Sequence, residues 1–340
     1  MSVAQSLEEQ AAEFRTRYQA IFDQIGRVIV GHDEIVHGVL TCLFVGGHCL
    51  LEGVPGLGKT LLVRTLAQVL DLPFKRIQFT PDLMPADILG TNMVMETPDG
   101  RRVFEFQRGP IFTQICLADE INRATPKTQS ALLETMQEGT VTIAGTQYEL
   151  EQPFFVMATQ NPIEQEGTYP LPEAQMDRFF FKLLVGYSNR TQLGTIIERT
   201  TKGIVVEPDK VMDGREILRW QKLVREVIMA PHVQDYAVRL TMATHPEGEL
   251  GSKTAKQFLR WGSSPRGAQA IALAAKVRAL LEGRYNVSFE DVRRVCLPAL
   301  RHRIILNFEA EAEGIAVDQV LLDIIESVPE KAEDAAPAAS

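Results

Sequence analysis

One eight-residue run in this sequence joins glycines to a lysine and a hydroxyl residue. It fits the pattern G-x-x-x-x-G-K-[ST], from Gly53 to Lys59 and Thr60. Glycines let backbone N–H groups turn toward the phosphates of a nucleotide, the lysine neutralises their charge, and the threonine can ligate Mg²⁺. An apolar run at 49–52 and an amphipathic stretch at 61–70 supply the strand and helix that such a loop needs, which disfavours a chance match. The residues expected to bind a nucleoside triphosphate here are Gly53, Val54, Pro55, Gly56, Leu57, Gly58, Lys59, Thr60 and Leu61.

Two adjacent carboxylates form a second candidate site. Asp119 and Glu120 follow the apolar run 115–118, which is typical of a core strand. Ligands of open α/β sheets bind at the carboxyl ends of the strands, and adjacent strand residues point to opposite faces. We therefore expect Asp119 to hold Mg²⁺ and Glu120 to orient the attacking water. The alternative is an ordinary acidic loop after a strand.

Composition limits the classes of protein that fit. The 340 residues carry a net charge of −9, with 45% hydrophobic and 23% charged residues, which disfavours a general nucleic-acid-binding surface. The four cysteines lack C-x-x-C spacing, so we expect reduced thiols and a cytoplasmic location. The polar residues 2–17 contain no apolar signal core, and no run of 18 apolar residues occurs, so membrane insertion is not expected.

The order of predicted elements indicates an α/β fold. Helices and strands alternate up to about residue 160, which predicts a parallel sheet covered on both faces. Two β-hairpins are predicted as inserts, at 93–106 around the turn Thr97-Pro98-Asp99-Gly100 and at 141–150. In this part we expect helices at residues 3–25, 33–45 and 128–138, and further strands at 74–79 and 154–158.

Beyond about residue 208 the patterns are helical only. Apolar stripes predict helices at 215–228, 232–244, 266–281 and 289–295, the last with a capping box from Ser288 to Asp291. We therefore predict a nucleotide-binding domain with an N-terminal helix at 1–208, a helical domain at 209–328 and a disordered tail at 329–340.

These motifs resemble, in order, the signature stretches of the MoxR group of AAA+ ATPases, in the helix-2-insert branch. The resemblance covers about residues 30–314. Besides the phosphate-binding run 53–60, the resemblance rests on four stretches: Asp119-Glu120-Ile121-Asn122-Arg123-Ala124, which extends the carboxylate site, Ala158-Thr159-Gln160-Asn161-Pro162, Leu171-Pro172-Glu173-Ala174-Gln175-Met176-Asp177-Arg178-Phe179, and Ser264-Pro265-Arg266-Gly267. It implies an AAA+ P-loop NTPase core with a C-terminal all-α lid, assembled as a homo-hexamer that binds ATP and Mg²⁺ between subunits.

The resemblance also implies roles for single residues. Asn161 corresponds to the first sensor of the γ-phosphate, although an asparagine before proline is also a common turn. Arg178 corresponds to an arginine finger inserted into the neighbouring subunit, with a surface ion pair to Asp177 as the alternative. Arg266 matches the second sensor, acting on its own or the neighbour's nucleotide. Residues 28–31 resemble the segment that cradles adenine, with Val30 and Gly31 as the expected nucleotide-binding residues, and core packing is the alternative.

Some features of the motifs are less decisive. Arg123 fits a residue of the subunit interface, and an ordinary charge at a helix start would look the same. Gly267 stands where alanine is frequent in the family, and Cys116 replaces a typical aliphatic residue. Neither departure removes a functional group.

Relatives of this kind imply a client. MoxR-type proteins commonly work with a partner that contains a von Willebrand factor A domain, and they mature, activate or insert cofactors into other protein complexes. The alternatives are a nucleic-acid motor, supported only by Arg101, Arg102 and Arg108, and the motor subunit of a metal chelatase, which would need a companion chain. The role of the two hairpins stays open between substrate contact and subunit packing.

Overall fold

A five-stranded parallel sheet forms the centre of the N-terminal part of the protein. The computed structural model describes residues 6–96, 102–162, 167–203 and 206–331. The strands in chain order are β1 Cys49–Glu52, β2 Phe74–Gln78, β3 Gly90–Glu96, β4 Arg102–Arg108, β5 Ile115–Asp119, β6 Thr140–Ile143, β7 Thr146–Glu149, β8 Phe155–Gln160, β9 Phe181–Leu184, β10 Leu259–Trp261 and β11 Ile305–Leu306. The central sheet has the order β2-β5-β8-β1-β9, and every neighbouring pair is parallel. This confirms the predicted α/β class.

Helices surround this sheet and continue beyond it. A short 3-10 turn, Ile121–Arg123, follows β5. The helices are α1 Leu7–Val28, α2 Asp33–Val45, α3 Lys59–Val69, α4 Pro85–Leu89, α5 Pro126–Glu138, α6 Glu173–Met176, α7 Arg190–Thr201, α8 Gly214–Glu226, α9 Pro231–Met242, α10 Lys253–Phe258, α11 Pro265–Leu281, α12 Phe289–Leu300, α13 Phe308–Ala312 and α14 Val317–Ser327.

Alternating side chains of the buried strands fill two separate cores. In β5, Ile115 and Leu117 lie in the core formed with α1, α2 and α3, while Cys116 and Ala118 lie in the core formed with α5. Since successive strand residues point to opposite faces, a nearly continuous apolar run is what a strand covered on both faces requires. Cys116 is fully buried as one of these core residues, which accounts for a small apolar side chain there.

Both predicted hairpins are present and lie against each other. β3 pairs antiparallel with β4, and β6 pairs antiparallel with β7. The ring of Phe106 stacks on that of Tyr148 with centroids 4.3 Å apart, and this contact joins the two hairpins. The turn predicted at residues 97–100 lies outside the described residues, as does Arg101.

The C-terminal part is not built of helices alone. Besides the predicted helices, β10 and β11 form a two-stranded antiparallel ribbon. Strands of three and two residues are too short to show a period in the sequence, so this prediction was wrong in detail. The predicted capping box is confirmed, because the Asp291 N–H donates to the Ser288 hydroxyl and the Ser288 N–H donates to the Asp291 carboxylate.

The helical part and the sheet share one apolar core. Trp220 of α8 is fully buried and its ring lies 5.7 Å from that of Phe14 in α1. At the far end, Arg239 donates to the carbonyls of Pro329 and Glu330, at 2.7 Å each. Residues 332–340 of the predicted tail lie outside the described residues, and the predicted domain boundaries stay predictions. Within the described ranges, none of the helices combines the length and apolarity needed to cross a bilayer.

Candidate functional site

The phosphate-binding pattern forms a loop between β1 and α3. Gly58 is the N-cap of α3 and provides no side-chain cap, so the first N–H groups of that helix are available to an anion. Cβ atoms built at Gly56 and Gly58 would meet nothing within 4 Å, and both backbones are left-handed. The Lys59 ammonium donates to the Gly53 carbonyl at 2.5 Å, inside the loop. Burial lowers the pKa of Lys59, against the attraction of the Asp119 and Glu120 carboxylates.

The two carboxylates end β5 next to this loop. Asp119 is the last strand residue and is buried, whereas Glu120 already has a left-handed backbone with φ 57°. Both line one cavity, so the expectation that alternation would separate them onto opposite faces was wrong, because the strand ends between them. The left-handed backbone of a glutamate is strained, a feature that concentrates at functional sites.

A cavity of about 450 Å³ brings the predicted phosphate and metal residues together. Its lining residues are Pro55, Gly56, Gly58, Lys59, Thr60, Leu61, Arg76, Asp119, Glu120, Thr159 and Asn161. Asn161 follows β8 and is 5% exposed. The hydroxyl of Thr159, two residues earlier, donates to the Asp119 carboxylate at 2.5 Å and accepts from the Glu120 N–H at 2.8 Å. Thr159 therefore fixes both carboxylates, because one hydroxyl can donate and accept at once.

A second cavity of about 430 Å³ adjoins the first. The two share Gly56, Gly58, Lys59 and Leu61. Val30 lines one wall of the second cavity, and α7 lines the opposite wall through Leu193 and Ile196. Its size and largely apolar walls suit a nucleotide base.

Gly31, the other residue expected near the base, does not itself line the second cavity, although its neighbours Val30 and His32 do. A Cβ at Gly31 would come within 2.5 Å of two side-chain atoms of Gln192, so the absence of a side chain allows α7 to close over the cavity. Arg199 of α7 donates to the Arg27 carbonyl at 2.8 Å and holds the helix there.

Arg178 lies at a different edge of the molecule. The expected alternative, an ion pair with Asp177, is wrong, because Asp177 accepts from Arg303 at 2.8 Å and from Ser264 at 2.9 Å. Within the described residues, the Arg178 guanidinium has no hydrogen bond or ion pair and is half-buried. It lines neither of the two cavities. An unpaired guanidinium away from its own site is compatible with a role in another subunit.

Arg266 contacts Asp177, the residue before Arg178, and lines neither of the two nucleotide cavities. It is in the first turn of α11, 4.0 Å from the Asp177 carboxylate, and donates to the Gln137 side chain at 3.3 Å. The next residue explains a departure from the family pattern. A Cβ at Gly267 would lie 2.1 Å from the Ser263 hydroxyl and 2.8 Å from the Leu300 side chain, so alanine does not fit here.

Three side chains at these sites escaped the sequence reasoning. Arg76 and Gln78 of β2 contact the two carboxylates, and Arg303 holds the Arg178 segment. The spacing of Arg76 and Gln78 could have indicated this contact, because residues two apart on a strand lie on the same face of the sheet. No local signal marks Arg303, which is 126 residues from Asp177.

Arg303 is the most enclosed of these groups. It is 8% exposed and donates to the carbonyls of Asp177, Phe179 and Phe180, as well as to the Asp177 carboxylate. Burial lowers the pKa of Arg303 to about 10 although Asp177 favours its charged form. The cluster fixes the backbone on both sides of Arg178 to the end of α12.

A phosphate loop, two carboxylates at the sheet edge and a helical region packed beside them define a P-loop nucleotide hydrolase with a lid. The comparisons agree. Residues 48–181 match the family model "ATPase family associated with various cellular activities (AAA)", and residues 252–324 match the AAA lid domain.

Whole-chain relatives narrow the class. The chain is 44% identical to Chaperone MoxR1 of Mycobacterium tuberculosis, over 94% of this chain and 83% of the relative. It is 30% identical to protein MoxR of Methylorubrum extorquens, over 90% of this chain and 93% of that protein. A crystal structure of a candidate ATPase from Cytophaga hutchinsonii superposes with a TM-score of 0.88 at 41% identity, covering 95% of this chain and 97% of the other. The chain belongs to the MoxR family of AAA+ ATPases, and its enzymatic activity is ATP hydrolysis.

Proposed function

We propose that this ATPase works as a chaperone-like homo-hexamer that uses Mg²⁺-dependent ATP hydrolysis to remodel, mature or insert cofactors into client protein complexes in the cytoplasm. A relative of similar length is named a chaperone. Four buried cysteines without disulfides are compatible with a reducing compartment. A partner with a von Willebrand factor A domain is part of the proposal, on the family resemblance.

The nucleotide site fits ATP and Mg²⁺. Thr60 and Asp119 offer the hydroxyl and carboxylate oxygens that Mg²⁺ prefers, and both line the cavity next to Lys59. When bound, the metal would neutralise phosphate charge. Glu120 is the base that orients water, and Asn161 at the same cavity can hydrogen-bond both that water and the γ-phosphate.

Two arginines are proposed to act on the nucleotide of the adjacent subunit. Arg178 has no side-chain partner within the described residues, and Arg266 contacts Asp177, the residue before it in the chain. Both lie outside the chain's own nucleotide cavities. Light scattering of Glu120→Gln with ATP and Mg²⁺ should give the mass of a hexamer. A persistent monomer would count against these roles.

One observation carries the client-remodelling role. The β3–β4 hairpin exposes apolar side chains on both of its faces, because Val94 is paired with Phe104 on one face and Met95 with Val103 on the other. Phe104 is 78% exposed. An apolar patch that no part of the described chain covers is typical of a protein-binding surface.

The experiment compares two neighbouring positions of this hairpin. A purified von Willebrand factor A domain protein from the same genome should raise the ATPase rate. Phe104→Ser should remove that stimulation and keep the basal rate, whereas Glu105→Ser, with its side chain on the other face, should keep both. Stimulation that survives Phe104→Ser would reject the Val94–Phe104 face of the hairpin as the contact, and no stimulation by any such protein would reject the partner class.

No observation favours the nucleic-acid motor. Arg108 is engaged above the Phe112 ring, 5.3 Å from its centroid, and Arg102 stands opposite Glu96 in the hairpin. With a net charge of −9, these residues do not make a basic surface.

A further inference from the structure

The carboxylate proposed to hold the metal is already bound to a cation of the chain itself. Asp119 Oδ2 accepts from Arg76 Nε at 2.9 Å and from Nη2 at 2.6 Å, and Oδ1 accepts from Thr159 at 2.5 Å. A carboxylate oxygen has two lone pairs, so the guanidinium occupies both of those on Oδ2. The Asp119 side chain is only 11% exposed, while that of Arg76 is 48% exposed at the cavity.

Strand geometry explains how Arg76 reaches this position. β2 and β5 are parallel neighbours, with Gln78 opposite Asp119. Arg76 is two residues before Gln78 and therefore on the same face, so its long side chain extends along the strand to the carboxyl edge. There it also donates to the Gln78 side chain, and Gln78 Nε2 donates to the Glu120 carboxylate at 2.9 Å.

These contacts form one continuous line from Asp119 through Arg76 and Gln78 to Glu120. The guanidinium donates directly to this buried carboxylate and supplies positive charge there, in addition to the attraction of the Lys59 ammonium in the same cavity. A metal ion at Asp119 would supply the same charge, and two cations on one carboxylate oxygen repel each other. Arg76 is exposed enough to turn away from Asp119 toward the cavity.

We propose that Arg76 is the resident counter-ion of Asp119 and competes with Mg²⁺ for it, so that loading of the metal–nucleotide complex displaces Arg76. The proposal rests on Asp119 as a metal ligand. According to this proposal, Arg76 acts in two ways. It weakens metal binding by occupying Oδ2 of Asp119. It also strengthens the binding of nucleotide without metal, because it cancels a carboxylate charge beside the triphosphate.

The displacement has a consequence for Glu120. While Arg76 holds Gln78, the Gln78 amide donates to Glu120 Oε2, which also accepts from the Arg123 guanidinium at 3.0 Å, and an oxygen engaged in this way is a weaker acceptor for water. Departure of Arg76 removes one of the two hydrogen bonds that fix Gln78. Glu120 is thereby tied to the state of Asp119, its immediate neighbour in the chain.

The test measures how much Mg²⁺ tightens nucleotide binding. The full-length protein is titrated with the fluorescent methylanthraniloyl derivative of the non-hydrolysable imido analogue of ATP, once with MgCl₂ and once with EDTA. The quantity of interest is the dissociation constant in EDTA divided by the dissociation constant in MgCl₂, and a larger ratio means that Mg²⁺ tightens binding more. Arg76→Gln frees Asp119 for the metal and leaves its charge bare without it, so both effects raise the ratio, by about tenfold or more.

A neighbour on the same strand provides the matched control. Lys75→Gln removes the same charge from β2, but Lys75 is exposed on the opposite face, so the ratio should stay within twofold of wild type. Arg76→Lys keeps the charge without the two-point contact and should raise the ratio about threefold. This milder variant carries the test if Arg76→Gln does not fold.

A double-mutant cycle separates the possible failures. In an Asp119→Asn background, Arg76→Gln should change the ratio less than twofold, since the shared carboxylate is gone. An unchanged or lower ratio in Arg76→Gln would overturn the proposal, because Arg76 would then not compete with the metal. A normal ratio in Asp119→Asn alone would instead refute the metal assignment.

Discussion

A buried histidine beside β1 should make the fold sensitive to acid. His48 is 8% exposed, and its Nδ1 accepts from the Val156 N–H at 3.0 Å. The ring is therefore neutral with the proton on Nε2, which donates to the Met136 carbonyl at 3.0 Å. Burial lowers the pKa of His48 from 6.5 to about 4. The ring joins strand β8 to helix α5.

The sign and size of the effect follow from this shift. The unfolded chain binds a proton at His48 more readily than the folded chain does, so acid favours unfolding. The contribution is complete above pH 6.5 and is lost as the pH falls toward 4. A pKa lowered from 6.5 to about 4 corresponds to about 3 kcal/mol of stability lost below pH 4, and to about 2 kcal/mol lost at pH 5.

The assay isolates His48 from all other titrating groups. The free energy of unfolding is measured by urea titration at pH 8 and pH 5 for wild type and for His48→Gln, which can still accept and donate but does not titrate. Other groups, including buried His302, are common to both chains. The stability advantage of wild type should shrink by about 2 kcal/mol between pH 8 and pH 5. An advantage that stays constant or grows would refute the reasoning, and exposed His232→Gln controls for loss of a histidine.

Three further outcomes are expected. Glu120→Gln should retain ATP but lose most turnover in a phosphate-release assay, because the amide cannot polarise water; turnover at the wild-type rate would reject its role. Arg178→Ala should bind ATP normally yet turn over on the order of 10³-fold more slowly. Mixing it with Lys59→Ala subunits should restore part of the activity, and no restoration would contradict action across an interface. Gly267→Ala should lower the melting temperature through overpacking worth about 2 kcal/mol, whereas Gly26→Ala, with open space around it, should not.

Local patterns predicted the parts of the site that depend on one stretch of chain. The phosphate loop, the two carboxylates and Asn161 each follow a strand, and their meeting at one sheet edge follows from parallel pairing. The hairpins were readable because turn residues stand between alternating runs.

Contacts across the sheet were not readable in this way. Thr159 meets Asp119 because β8 lies next to β5, and a strand order is a property of the whole fold. The left-handed backbone of Glu120 depends on that same contact, since its N–H donates to Thr159. Periodicity carries no information on either point.

In the proposed hexamer, the Arg303 cluster would connect the lid of one subunit to its own Arg178. The carbonyls next to Arg178 are fastened to the end of α12, so the lid of a subunit cannot tilt without carrying that short segment with it. With Arg178 reaching the adjacent nucleotide, as proposed, a movement of each lid would shift the guanidinium that contacts the nucleotide of the next subunit. Hydrolysis in successive subunits would then be coupled in one direction around the proposed hexamer, from the lid of one subunit to the nucleotide site of the next.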